Sequence, residues 1–262
     1  MRAMTDHASD IHSAALQGFT KEAATYGRGR PEYPPELAGW LEQTLRLGPG
    51  RTAADVGAGT GKFTKLVAAT GARTLAIEPV AAMREQAATL PGVQALDGTA
   101  QALPLAAASL DAIVCAQAFH WFARREVLDE FARALRPGGL LGLVWNVRDE
   151  SVDWVAEITR LITPYEGDAP RFYKADWRKP FPHPAFTPLQ QARFAYEHVG
   201  PASQVIIDRF MSVSFIAALG PQDRAKIRGD LEHLVATHPQ LRRQAVLRFP
   251  YYTLAFHCMR HE

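Results

Sequence analysis

Asp55, the glycines at 57, 59 and 61, Glu78 and His120 are the residues whose types and spacing could do chemistry. Glycines at alternate positions let the backbone take positive φ and let a ligand approach with no Cβ in the way. The unpaired N–H groups of a following helix would face that ligand. A plain structural turn is the alternative for the same residues. Glu78 stands about twenty residues beyond the loop, where a carboxylate meets a ribose in mononucleotide-binding halves. A carboxylate can accept hydrogen bonds from both ribose hydroxyls; otherwise Glu78 is a solvated residue at a strand end. His120 is the one ionisable side chain of its loop before Arg124. With a pKa near working pH it could serve as a general base. Its structural alternative is to cap the helix near Asp129 or to pair with a backbone carbonyl.

The glycine spacing narrows the ligand. A dinucleotide fingerprint is G-x-G-x-x-G, and counted from Gly57 its third glycine falls on Lys62. The pattern present is instead acidic-x-G-x-G-x-G from Asp55 to Gly61.

The elements that must position these residues follow the pattern of an α/β chain. Ala53–Val56 reads as a short buried strand and Phe63, Leu66 and Val67 as the start of a helix. Before them, Leu37, Trp40, Leu41 and Leu45 recur at helical spacing over Pro35–Leu47, closed by Gly48-Pro49-Gly50. After them come a strand at Arg73–Ile77, an Ala-rich helix at Val80–Leu90 and a strand at Val93–Leu96. Ser109–Ala116 is nearly continuous in apolar character, as a central parallel strand should be. An amphipathic helix at Arg124–Leu135 ends in the turn Arg136-Pro137-Gly138-Gly139, before a strand at Leu140–Trp145. Beyond 150 the spacing predicts a helix over Ser151–Tyr165 and a strand over Pro188–Val199. Helical segments over Ser203–Leu219 and Asp223–Val235 and a closing strand within Val246–Cys258 follow. Between them Phe172, Tyr173, Trp177, Phe181 and Phe186 form an irregular aromatic stretch that either lines a pocket or packs a lid.

With 262 residues, 47% of them hydrophobic, the chain can bury a large core. A formal net charge of +2 leaves no dominating patch for nucleic acid. Cys115 and Cys258 are far apart and make no metal-spacing motif; Cys115, in an apolar run, reads as a buried thiol. Met1–Gln17 holds no apolar stretch of signal type and no segment is long enough to span a bilayer, so the expectation is a cytoplasmic protein without membrane contact. A monomer or homodimer is expected.

The Asp55–Gly61 loop followed by Glu78 resembles the first motifs of class I S-adenosylmethionine (SAM) methyltransferases. Four further features occur in the same order in one subgroup. They are the Arg30-Pro31-Glu32-Tyr33-Pro34 segment, the Phe119-His120-Trp121-Phe122 loop, the Leu135–Gly139 turn and Ser212-Val213-Ser214-Phe215. That subgroup is the small-molecule enzymes similar to trans-aconitate methyltransferase. The resemblance implies a doubly wound, mostly parallel seven-stranded sheet with a helical and aromatic lid. It also implies an N-terminal flap (1–34), a SAM-binding core (35–150) and a lid with final strands (151–262). In such a fold Gly57, Ala58, Gly59 and Gly61 lie under the methionyl portion of SAM, Asp55 helps bind its ammonium, and Glu78 takes the ribose. Pro79 and Met83 complete that wall, while Thr99 and Ala100 border the adenine. Gln117, Ala118 and His120 face the methyl group, and Tyr26 or Arg30 of the flap could reach the methionyl carboxylate. The implied reaction is methyl transfer to a small-molecule acceptor, a carboxylate or a hydroxyl, with S-adenosylhomocysteine (SAH) as product. The alternatives are a SAM-binding regulator without activity and an NAD-dependent oxidoreductase. No prolyl-prolyl tetrapeptide follows the fourth strand, which counts against an adenine, cytosine or glutamine-amide acceptor.

Overall fold

The computed structural model describes residues 30–262; Tyr26 and most of the expected flap lie outside the described residues. Strands β1 (Thr52–Val56), β2 (Arg73–Ile77), β3 (Val93–Leu96), β4 (Leu110–Ala116), β5 (Leu135–Arg148), β6 (Gln190–Gly200) and β7 (Leu247–Met259) form one sheet. Its order is β3-β2-β1-β4-β5-β7-β6. The first five strands pair in parallel, whereas β7 runs antiparallel to both β5 and β6. This is the expected doubly wound, seven-stranded, mostly parallel sheet.

The central strands are buried on both faces because they alternate between two cores. Ala54, Ile113, Cys115, Leu141 and Leu143 point into one, with Phe119, Phe131 and Trp145. Ala53, Ala112, Val114, Leu140 and Val144 point into the other, with Leu37, Trp40, Leu41 and Phe63. Helices α1 (Glu36–Gly39), α2 (Thr64–Ala69), α3 (Ala81–Ala88) and α4 (Arg125–Ala134) flank the sheet. Helix α4 shows why it packs as it does: Val127, Leu128, Phe131 and Ala134 make one apolar stripe, and all four are buried. A third core lies under α5 (Asp153–Ile162), α6 (Arg209–Met211), α7 (Ser214–Ala217) and α8 (Pro221–Thr237), against Phe249 and Tyr251 of β7.

Three local expectations are corrected. The helix expected over Pro35–Leu47 is α1 followed by a π-helical turn, Trp40–Thr44, in which the Leu45 N–H donates to the Trp40 carbonyl. The Arg136–Gly139 turn does not precede β5 but is a bulge inside it. Leu110 pairs with Leu135 and Ala112 already with Leu140, so the extra residues loop out. Gly138 takes φ 73° there, and a Cβ on Gly139 would stand 2.8 Å from the Arg136 carbonyl oxygen. Ser203–Leu219 is divided into a π-helical segment (Ser203–Asp208), α6 and α7. Among the described residues no helix is long and apolar enough to cross a membrane.

Candidate functional site

The order of the sheet reverses between β1 and β4, and in open parallel sheets ligands bind beyond the carboxyl ends of the strands at such a switch point. A cleft enclosing about 1230 Å³ of empty space opens there, part of it continuous with solvent. Its walls are the loop after β1, the ends of β2 and β3 and the loop after β4.

The loop is shaped by its glycines. Gly57, Gly59 and Gly61 have φ of 73°, 56° and 86°, a region that L side chains avoid. A Cβ on Gly57 would lie 2.7 Å from Cβ of Ala118, so the β1 and β4 loops can close together only there. A Cβ on Gly61 would lie 2.4 Å from Leu90 Cδ1, so this glycine serves the packing of α3. Two backbone amides of the loop, Gly57 and Ala58, donate to the Ile77 carbonyl at 2.9 and 3.2 Å.

Asp55 is 1% exposed at the end of β1. Its Oδ2 accepts a hydrogen bond from Thr64 Oγ1 at 2.7 Å, whereas Oδ1 is buried with no partner among the described residues. Burial pushes the carboxyl up to about 7, against the Thr64 hydrogen bond, and the Glu78 charge adds to the rise. An orphaned carboxylate oxygen is an acceptor waiting for a donor or a cation.

Glu78 has a position that sequence reasoning did not foresee. Its Oε2 accepts from the Gly59 N–H at 2.8 Å and its Oε1 from the Val80 N–H at 2.9 Å. The residue therefore clamps the glycine loop to the end of β2 while lining the cleft. Burial raises its pKa, and these two backbone donors oppose the rise. Pro79, Met83, Thr99 and Ala100 line the same wall, as do Ala58, Gly59, Gln117 and Ala118. Gly61 is the one loop glycine that does not, consistent with its packing role.

Gln117 leaves β4 at φ 58°, unusual for a residue with a side chain. Its N–H donates to the Val144 carbonyl at 2.8 Å, which fixes the turn, and Nε2 donates to the Asn146 carbonyl at 3.3 Å. Strained backbone of this kind costs about 1–3 kcal/mol and concentrates at functional sites.

His120 lines not the cleft but a second chamber, which encloses about 770 Å³ of empty space, part of it continuous with solvent. Among the described residues the histidine makes no hydrogen bond to the Asp129 helix or to a backbone carbonyl, and His183 is the residue beside Asp129, at 3.3 Å. The His120 Nδ1 accepts a hydrogen bond from Trp145 Nε1–H at 3.1 Å. Burial, with Arg171 and Arg30 nearby, pushes its pKa down to about 3. A ring so hard to protonate is a weak base. Gln117, Trp121, Asn146, Arg30 and Arg209 line both the cleft and the chamber, so the two spaces share a wall.

Arg30 is held at this junction. Its Nη2 donates to the Ser212 carbonyl at 3.1 Å, and its own carbonyl accepts from Lys62 Nζ. Lys62 and Lys65 pair with Glu32 at 3.3 and 2.8 Å, and Asn146 Nδ2 donates to the Glu32 carbonyl at 2.8 Å. Residues 30–33 thus strap across the glycine loop, and Lys62, which breaks the dinucleotide pattern, is a buckle of that strap.

The comparisons with known proteins agree with this geometry. Residues 54–143 match the family model for a methyltransferase domain. An uncharacterized methyltransferase of Mycobacterium tuberculosis is 39% identical over 90% of this chain and 93% of its own length. An uncharacterized methyltransferase-like protein of Schizosaccharomyces pombe is 32% identical over 92% of this chain and 94% of its own. The chain belongs to the SAM-dependent methyltransferases. Solved structures show the same fold. One described as a type II methyltransferase from Anaeromyxobacter dehalogenans superposes with TM-score 0.62 at 25% identity, covering 89% of this chain and 97% of that one. The YcgJ protein of Bacillus subtilis superposes with TM-score 0.54 at 20% identity over 86% and 98%.

Several residues of this methyltransferase's site escaped the sequence reading. Phe63, Phe122 and Asn146 line the cleft, and Arg148, Arg171, Arg209 and Ser214 line the chamber. The aromatic stretch divides between the core and the chamber wall. Trp177 and Phe186 are buried in the core, with Trp177 4.6 Å from the Trp145 ring, while Phe172 and Tyr173 line the chamber.

Proposed function

We propose that the cleft binds SAM and that the adjoining chamber presents a small organic acid to its methyl group. SAM, when bound, supplies an electrophilic methyl on a sulfonium. The observation that carries the reading is the buried, unpartnered Oδ1 of Asp55 beside a glycine cradle, a fit for the ammonium of the methionyl end. On this reading Gly57, Ala58 and Gly59 admit the methionyl chain and Glu78 accepts from the ribose hydroxyls through its remaining lone pairs. Thr99 and Ala100 border the adenine, and Pro79 and Met83 form the apolar floor. Arg30 reaches the methionyl carboxylate, and Gln117 and Ala118 stand beside the methyl.

The acceptor's nucleophile arrives already charged. His120 is too weakly basic to deprotonate a hydroxyl, and a carboxylate needs no base at neutral pH. The protein's contribution is then to hold two reactants in line and exclude water, which can be worth about 7–11 kcal/mol of barrier. The strap at residues 30–33 and the Phe119–Phe122 loop support placing the chain with the small-molecule enzymes similar to trans-aconitate methyltransferase. They also support the division into flap (1–34), core (35–150) and lid with final strands (151–262). Both described cysteines are free and buried, in keeping with a reducing cytoplasm. Incubation with methyl-labelled SAM and a panel of organic mono-, di- and tricarboxylates should release base-labile methyl ester for at least one acid. Transfer to none of them, with transfer to phenols or amines instead, would overturn the carboxylate reading.

A further inference from the structure

Among its described lining residues the chamber carries more positive than negative charge. Four arginines line it: Arg30, Arg148, Arg171 and Arg209. Arg171 pairs with buried Glu166 at 3.4 Å, but that carboxylate also serves Lys174 at 2.9 Å and accepts from the Tyr173 hydroxyl. Arg148 meets Glu150 only at 3.5 Å, and Glu150 is half exposed. Among the described residues Arg209 pairs with no carboxylate. Its Nε and Nη1 are buried without a hydrogen-bond acceptor among the described residues, and its guanidinium rests 5.6 Å from the Phe210 ring. The Arg148 guanidinium lies over the same ring, at 5.4 Å. Orphaned guanidinium donors are expensive, because burial strips their water and nothing replaces it.

His120 adds a neutral donor to this group. Because Nδ1 accepts from Trp145, the proton of the neutral ring sits on Nε2. The ring therefore brings an N–H to the chamber and no charge.

We infer that Arg148, Arg171 and Arg209, with His120, form a subsite for a second, non-reacting anionic group of the acceptor, a carboxylate or a phosphate. The inference rests on the methyltransferase reading and deepens it. An anion clasped by a guanidinium fork has its lone pairs engaged and its charge neutralised, so it is a poor nucleophile. The residues shared by chamber and cleft include the uncharged amides Gln117 and Asn146. The reacting group belongs at that junction beside the two amides, and the anchoring anion belongs on the side where Arg148 and Arg171 line the chamber alone, with Arg209 reaching it from the shared wall. The acceptor is accordingly at least bifunctional, and one anionic group leaves the enzyme unmethylated.

Calorimetric titration with succinate, inorganic phosphate and neutral succinamide tests this, with the protein both SAH-loaded and free. Succinate or phosphate should bind and succinamide should not; which of the two binds identifies the anchor as carboxylate or phosphate. Arg209→Gln and Arg171→Gln should each weaken the anion by about tenfold. Arg171→Gln should leave SAH affinity unchanged, because Arg171 does not line the cleft. His120→Gln, which keeps an amide N–H near the Nε2 position, should retain more anion affinity than His120→Ala. If neither anion binds a protein that binds SAH, or if both arginine variants bind like the parent, the subsite does not exist. Failure of SAH itself to bind would sink the cofactor reading separately, and the titrations of the free protein would still decide this one.

Discussion

The cleft and the chamber are neighbours built in opposite ways. The cleft is built around a glycine turn, strand ends and two buried carboxylates, with most of its wall within residues 55–118. The chamber is made by side chains from segments far apart in sequence, with Arg30, His120, Arg148, Arg171 and Arg209 meeting from five elements or loops. Charge differs between them too: the buried carboxylates Asp55 and Glu78 line the cleft alone, Arg148 and Arg171 line the chamber alone, and Arg30 and Arg209 stand on the wall between them. A ligand with a cationic end and an acceptor with an anionic one would each find the matching half. Diversity of acceptor can then arise from the chamber without disturbing the cleft.

The largest effect expected is at Asp55. Asp55→Asn should cost about 2–5 kcal/mol of cofactor affinity, as removal of one member of a buried charge pair does. The same change should stabilise the unliganded fold. The folded pKa is about 7, raised from an ordinary aspartate value of 3.8. The folded state therefore holds this proton more tightly than the unfolded chain, so stability is lost as pH rises from about 4 to 7 and stays lower above. At pH 8 the asparagine variant should gain roughly 2–4 kcal/mol in urea unfolding. A loss of stability instead would mean that Asp55 is held by something more than Thr64.

Gly57→Ala comes next. Positive φ and the Ala118 contact at 2.7 Å should together remove about 2–4 kcal/mol of stability. Gly59→Ala meets nothing nearer than Met83 Sδ at 3.9 Å, and should lose only the strain of about 1–2 kcal/mol. Equal melting losses for the two would show that the loop relaxes away from the modest space between β1 and β4.

Two smaller effects separate the halves by pH. Below about pH 7 cofactor affinity should fall by about tenfold per unit as Asp55 takes up its proton, and binding near pH 7 should release a proton. Calorimetry in buffers of different ionisation enthalpy reads that directly. At saturating cofactor, turnover should show no histidine-like step between pH 6 and 8, because His120 is held neutral there. A step that vanishes in His120→Gln would restore His120 as a base.

How much could be read in advance follows the same division. Asp55, the three glycines and Glu78 lie in one stretch at a spacing with a physical meaning, so the sheet, its switch point and the cleft wall were legible. The clamp made by Glu78 was not, because backbone amides carry no sequence signal. Nothing in motif or spacing marks Arg148, Arg171 and Arg209, since they sit on β5, on the loop after α5 and on α6 and meet only in the fold. The positive φ of Gln117 had no sign either, for a glutamine is an uncommon choice there. The Arg136–Gly139 turn was visible, but whether it preceded β5 or bulged within it depended on pairing with Leu110 and Ala112.

Calorimetric titration of SAH into the parent protein, Asp55→Asn and Arg171→Gln, with NADH alongside, tests the central claim most directly. The division into two halves predicts micromolar SAH binding to the parent and to Arg171→Gln, a loss of about thirtyfold or more in Asp55→Asn, and no binding of NADH. NADH binding, or SAH affinity untouched by Asp55→Asn, would contradict the assignment of the cleft.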